Sequence, residues 1–593
     1  MSPRIKIQSL TPLVDCGRYP AKACVGDEVL VEATIVRDGH EVLGAALRTK
    51  PPGARRWAEE SMTDLGNDRW AASFAPGSSG RWSYRVEAWV DPVASFQWEL
   101  RRKVEAGQAE LSSELAEGAL LLEREGVTVE EALAAGPGQR LELTRSETLG
   151  IAVDSTLARF GSWYELFPRS WGGFAGVVRE LPNFAELGFD VLYLPPIHPI
   201  GHTNRKGPNN ALEAGADDPG SPWAIGSEEG GHTAVHPELG TLDDFDRLVE
   251  AARGQELEIA LDYAIQCSPD HPWLRDHPEW FHRRPDGTLK YAENPPKRYQ
   301  DIYNVNFESE DWRGLWETLR DVMLYWVAHG VRVFRVDNPH TKPVAFWEWL
   351  IAEVRAVEPE LVLLSEAFTR PAMMSTLAKV GFSQSYTYFT WKNTKAELAE
   401  LMAQILEWRE NYRPNFFVNT PDILHEYLQT GGRPAFEARL LLAATLSPSY
   451  GIYSGFEHYE NVPVQKGSEE YLNSEKYEAK KRKLDGPLLP LVKRLNEIRR
   501  AEPALQRVEN LRWLETEQEQ LVAYIKEDVV VVVNIDPFAS HEGLVIVPAA
   551  LGLPPAFFVR DLLGGERYRW SIGRNFVRLE PGQGHVLKIE TRV

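Results

Sequence analysis

The sequence predicts an α/β protein: a (β/α)8 TIM barrel with loop insertions, flanked by an N-terminal β-sandwich carrying a short helical insert and by a C-terminal β-sandwich. Three observations predict it. Eight β-rich runs alternate with amphipathic helical stretches over roughly 350 residues. Short β runs separated by turn signals fill the first hundred or so positions, and helical patterns stop after about 508. Three acids fall at the ends of candidate barrel strands.

In chain order, EVLVEATIVRD, AALRTK, RWAASFAP and RWSYRVEAWVD read as the strands of a sandwich over 1–147. AELSSELAEGALLLERE and TVEEALAAG, rich in Ala, Leu and Glu at helical spacing, read as an insert at about 101–135. The barrel is expected over 148–507, with strands at 162–167, 190–196, 258–264, 331–337, 361–367, 383–389, 415–422 and 450–455. TLDDFDRLVEAARGQ and WRGLWETLRDVMLYWVAHG are typical of the helices between them. The stretches 197–240 and 265–310 are too long for ordinary connections and are expected to be functional loops. LVAYIKEDVVVVVNIDP, GLVIVP, AFFVRDLL and NFVRLEPGQGHVLKIE read as the second sandwich, 508–593.

Composition excludes several classes. A net charge of −21 argues against a nucleic-acid partner, because phosphate backbones require clustered cations. No apolar run reaches the roughly 18 residues of a membrane span. The first residues show no apolar core of a signal peptide, so a cytoplasmic protein is expected. Three cysteines without CxxC pairing fit neither a disulfide framework nor a structural zinc site. The 19 Trp suit sugar stacking and a large barrel core equally well.

Asp337 ends VRVFRVD, Glu366 follows LVLLS and Asp422 ends FFVNTPD. The C-terminal strand ends of a barrel converge on one face, where the chemistry sits. Arg335 shares parity with Asp337, so both side chains leave the strand on one side and the cation keeps the acid ionised. Retaining glycosyl transfer needs two carboxyl groups about 5 to 5.5 Å apart, one as nucleophile and one as acid/base. A third acid stabilises the oxocarbenium-like transition state. The competing reading is a set of helix caps and surface ion pairs.

LDYAIQCSPDHPW, FRVDNPHTKP, LSEAF and FVNTPD resemble glycoside hydrolase family 13, the α-amylase family. That resemblance implies Asp337 as nucleophile, Glu366 as acid/base and Asp422 as transition-state stabiliser. Departures from amylases are Pro421 before the third acid, His340 three residues after the nucleophile, and Gln266–Cys267 where amylases carry Asn-His. The longer motifs LPPIHPIGHTNRKGPNN, GGHTAVHPELGTLDDF, YAENPPKRYQDIYNVNF, SEAFTRP, NTPDILHEYL and YLNSEKYE look like the GlgE-type α-1,4-glucan:maltose-1-phosphate maltosyltransferases.

The resemblance implies an α-maltose 1-phosphate donor and an α-1,4-glucan or maltooligosaccharide acceptor. It assigns phosphate to Asn294, Lys297, Tyr299 and Asn338, and sugar rings to Lys206, Gln266, Arg335, Lys476 and Tyr477. AENPPKRY supports this chemically, as a cation flanked by two hydrogen-bond donors on a proline-stiffened segment. A homodimer is implied as well, although the insert associated with the family's dimer looks short here. No cofactor is expected and no metal, since His198, His232, His236 and His340 match no paired-ligand spacing. Rival readings are a hydrolase or transglycosidase of the same family without phosphate, a non-catalytic glucan binder, and a nucleotide-sugar transferase. The last lacks a P-loop or GxGxxG signature.

Overall fold

The computed structural model describes residues 4–124, 126–136, 139–294 and 297–590. The chain forms two compact units, Met1–Ser155 and Thr156–Val593.

In the first unit two sheets enclose one core. One has the strand order Lys6–Thr11, Val29–Val36, Arg69–Phe74, Thr63–Gly66. The other runs Ala21–Cys24, Leu149–Asp154, Gly80–Val90, Leu43–Lys50, Ala58–Ser61, with Leu141–Arg145 added on Gly80–Val90. Val31, Ile35, Leu47, Tyr84, Val86 and Val153 fill the space between. The helical insert begins at Pro92, not near 101. Asp91 accepts the Ala94 N–H at 2.9 Å and Pro92 takes the first helical position, so the helix starts as soon as the long strand ends. The helices Pro92–Glu105, Ser112–Leu121 and Val129–Ala134 share a small core of Phe96, Leu100, Val127 and Ala132.

The second unit opens with a closed parallel barrel. Its strands are β1 (Gly161–Glu165), β2 (Val191–Leu194), β3 (Glu258–Tyr263), β4 (Val333–Val336), β5 (Val362–Ser365), β6 (Gln384–Tyr386), β7 (Pro414–Phe417) and β8 (Ser449–Tyr453). All eight expected strands are present, in chain order. They are buried on both faces, which is why the sequence shows continuous apolar runs instead of alternation. Each is followed by a helix: α1 (Gly173–Glu186), α2 (Leu242–Arg253), α3 (Trp312–Ala328), α4 (Val344–Val357), α5 (Pro371–Val380), α6 (Lys395–Glu407), α7 (Glu426–Leu446) and α8 (Leu489–Ala501).

Two strand ends differ from expectation. Strand β6 stops at Tyr386 because Thr387 caps a 3-10 turn, Tyr388–Trp391, through the Phe389 N–H. Strand β7 stops at Phe417, so Asp422 does not close a strand. Pro421 has no N–H, and Thr420 and Ile423 exchange backbone bonds (3.3 and 3.1 Å) across a tight turn whose tip is Asp422. The 265–310 loop holds an antiparallel sheet of Gln266–Cys267, Lys297–Asn304 and Tyr291–Asn294.

After α8 the chain forms eight strands from Leu511–Thr516 to Gly584–Glu590. Leu511–Thr516 pairs with both Leu521–Lys526 and His541–Val547, which turns the sheet over on itself around Leu521, Val532, Val545, Val577 and Leu587. Tyr427 on α7 donates to the Ile535 carbonyl at 2.6 Å and ties this layer to the barrel. No helix among the described residues is long and apolar enough to cross a membrane.

Candidate active site

Arg335 is the centre of the site. It lies on β4 and is almost fully buried. Its Nη1 is 2.8 Å from Asp337 Oδ1 and 3.0 Å from Asp262 Oδ2, and its Nη2 pairs with Glu366. One guanidinium therefore holds three carboxyl groups contributed by the ends of β3, β4 and β5. Asp262 and Arg335 are Cα partners on neighbouring strands, which puts both side chains on the same side of the barrel wall. Tyr193 Oη (2.6 Å) and Trp223 Nε1 (3.2 Å) also donate to Asp262 Oδ2.

Asp337 and Glu366 hydrogen-bond to each other, yet the site pulls their acidities apart. Burial pushes Asp337 up, but Arg335 and Lys342 outweigh it and hold the carboxyl below its ordinary range. Glu366 is pushed well above its ordinary value, first by burial and then by the negative charges of Asp337 and Asp422, against the pull of Arg335. Burial also raises Asp262, to about 7. The arrangement holds an ionised carboxylate beside a protonated one, the pairing that acid/base-assisted displacement requires.

The other expected residues fall into two groups. Gln266 Nε2 donates to Asp337 Oδ2 at 2.7 Å. Asn338 is exposed, in the left-handed region (φ 42°), and its N–H points to Glu366 Oε2 at 3.3 Å. The second group surrounds Lys476, which is buried, ion-paired with Asp422, and lies 5.5 Å from the Trp223 ring and 5.6 Å from that of Tyr477. Burial opposes that ammonium but Asp422 raises its pKa well above normal. Tyr299 is half-buried within electrostatic reach of Lys476. Lys206 is buried and donates to Gln300 Oε1 at 2.7 Å; burial lowers its pKa, with Asp301 opposing. Asp301 also faces Lys476, which links the two lysines. Asn294 and Lys297 are Cα partners on the loop hairpin; their side chains, and Pro295 and Pro296, lie outside the described residues.

Residues 3–165 match the family model of α-1,4-glucan:maltose-1-phosphate maltosyltransferase, domain N/S; 161–314 match the α-amylase catalytic domain, and 513–589 match GLGE, C-terminal. Maltosyltransferase 2 of Streptomyces coelicolor is 49% identical, over 99% of this chain and 96% of that protein. The Pseudomonas aeruginosa maltosyltransferase is 48% identical over 98% and 95%, and that of Mycobacterium tuberculosis H37Rv 44% over 99% and 96%. The chain belongs to the α-1,4-glucan:maltose-1-phosphate maltosyltransferase family. Among solved structures, an α-amylase from Lactobacillus plantarum is 23% identical with TM-score 0.58, over 74% of this chain and 100% of that one. The AmyB α-amylase of Thermotoga neapolitana is 19% identical with TM-score 0.58, over 73% and 99%. These two share the fold.

In this maltosyltransferase, sequence reasoning missed Asp262, Lys342 and Glu165. Asp262 carried a usable signal: a fourth acid near a strand end, in LDYA. Glu165, at the end of β1, is buried with Oε2 unpartnered, and burial pushes it well above the carboxylate range. Its sequence signal is weak, because acids at strand ends are common. Of the histidines set aside, His232 lies together with Cys267 and with His271, which the sequence reading did not single out. His271 Nδ1 accepts the Trp273 N–H (3.1 Å), so its Nε2 donates to His232 Nδ1 (3.0 Å), and His232 Nε2 donates to the Ala264 carbonyl (3.0 Å). Both rings are neutral, since burial holds His232 well below its usual value and His271 at about 3. The pair braces the loop that presents Gln266 to Asp337.

Proposed function

We propose that this maltosyltransferase moves an α-maltosyl unit from α-maltose 1-phosphate to the non-reducing end of an α-1,4-glucan, releasing phosphate with retention through a covalent Asp337 glycosyl-enzyme. The observation that carries the reading is the shared Arg335, with Asp337 ionised and Glu366 protonated on either side of its guanidinium.

Asp337 attacks the anomeric carbon; the carbon–oxygen bond to phosphate breaks, and its electron pair leaves on phosphate with the Glu366 proton. Forming the ester removes the charge of Asp337, one cause of the raised Glu366 pKa, so Glu366 becomes the base. It takes the proton of the acceptor 4-hydroxyl as that oxygen displaces Asp337, and the second inversion restores the configuration. Asp422, oriented by Lys476, faces developing positive charge on the sugar. Asn294, Lys297, Tyr299 and Asn338 receive phosphate; Lys206, Gln266, Arg335, Lys476 and Tyr477 face the sugar rings. Homodimeric assembly and a cytoplasmic location belong to the same proposal by kinship with the family.

The test is incubation with maltose 1-phosphate and a short maltooligosaccharide, following inorganic phosphate and product mass. Additions of two glucose units matched by phosphate release are expected. Hydrolysed acceptor without phosphate-coupled elongation would show a hydrolase instead.

A further inference from the structure

We propose that Lys342 is a positioning residue for the anionic donor: fixed under the Asp337–Asn338 peptides, its ammonium lets a phosphate group sit beside two carboxyl groups and steadies it as the bond to the sugar breaks. This rests on the phosphosugar reading above.

Lys342 follows the 3-10 turn Pro339–Thr341 and is half-buried. Its Nζ turns back to the carbonyls of Asp337 (3.3 Å) and Asn338 (3.2 Å). A lysine ammonium has three donors, and the third makes no further bond among the described residues. Asp337 and Glu366 both face this charge, with Asp262 beyond and Arg335 opposing.

The charges around the nucleophile favour a further cation beside it. Arg335 already serves Asp262, Asp337 and Glu366. A doubly charged phosphate brought next to ionised Asp337 meets repulsion that a neutral glucan would not. The donor reading assigns phosphate to Asn338, whose side chain is exposed and whose N–H points to Glu366 Oε2. Lys342 holds that residue's carbonyl, which fixes its ammonium next to Asn338. As the donor's carbon–oxygen bond breaks, the electron pair collects on phosphate and the new bond forms to Asp337; Lys342 gains and loses no proton. A lysine bonding carbonyls at the end of a turn is also an ordinary cap. Its charge within reach of both Asp337 and Glu366 goes beyond that role.

The experiment compares Lys342→Met, Lys342→Gln and Lys342→Arg in the full chain with two donors, α-maltose 1-phosphate and α-maltosyl fluoride, whose leaving group carries no charge before departure. Met and Gln should lower kcat/KM for the phosphate donor by about tenfold and for the fluoride by less than about threefold, with Arg restoring most of the loss. Gln keeps the bond to a carbonyl and serves if the Met variant does not fold. Equal losses with both donors, or full phosphate-donor activity in the Gln variant, would overturn the inference. Unmodified enzyme that consumes the fluoride and releases no phosphate from maltose 1-phosphate fails differently: the donor reading itself falls.

Discussion

Arg335, with Lys342, keeps Asp337 ionised against burial. Replacing it with Gln leaves Asp337 buried beside Glu366 without its counter-charge, so the Asp337 pKa rises. The acid limb of the kcat/KM profile should move to higher pH, and the maximum should fall by about 10² to 10³. A pH–rate series checks it, and an unmoved acid limb would refute the role. Asp262 gives the opposite sign in stability. Its folded pKa of about 7 lies above its unfolded value, so between those values the native state binds more protons and stability falls as pH rises. All three donors meet Oδ2 while Oδ1 has no partner, so an Asn amide fits the open side. Asp262→Asn should raise Tm at pH 8 more than at pH 5, read by thermal melts at both.

Among elements, the barrel strands owe their position to close side-chain fits across the interior. Gly451 on β8 has no side chain because a Cβ there would stand 2.4 Å from the Phe417 ring of β7. That ring stacks on Tyr386 at 4.6 Å and meets Trp163 edge-on at 6.3 Å, so it has nowhere to move. Gly451→Ala should cost about 1–3 kcal/mol by overpacking, measured by denaturant titration. The insert helix in the first unit depends on a smaller device. Asp91→Ala should cost about 1 kcal/mol by removing its cap, with activity on small acceptors unchanged.

Within the second unit, Lys526 joins the barrel to the C-terminal sheet. Its ammonium is fully buried and bonds the carbonyls of Leu446 (2.9 Å), at the end of α7, and Arg507 (2.7 Å), in the link to the C-terminal sheet. Burial lowers its pKa to about 7. Between there and the ordinary lysine value the unfolded chain binds more protons than the native one, so stability rises with pH over that window. Lys526→Met should be less stable throughout and should lose that rise, seen as a flatter Tm between pH 7 and 10.

The sequence alone determined the eight barrel strands and their order, both flanking β layers, and the acids at 337 and 366. These depend on local periodicity and on motifs within a few residues, which neighbouring side chains encode. Tertiary structure decided the rest. Asp422 lies in a turn beyond the end of β7 at Phe417 and finds Lys476 far along the chain, and Asp262 joins Arg335 only because β3 and β4 lie in that register. The opposed acidities of Asp337 and Glu366 come from burial and from charges gathered out of several strands. No local pattern encodes a desolvation energy, so that part of the site becomes legible only once the barrel has closed.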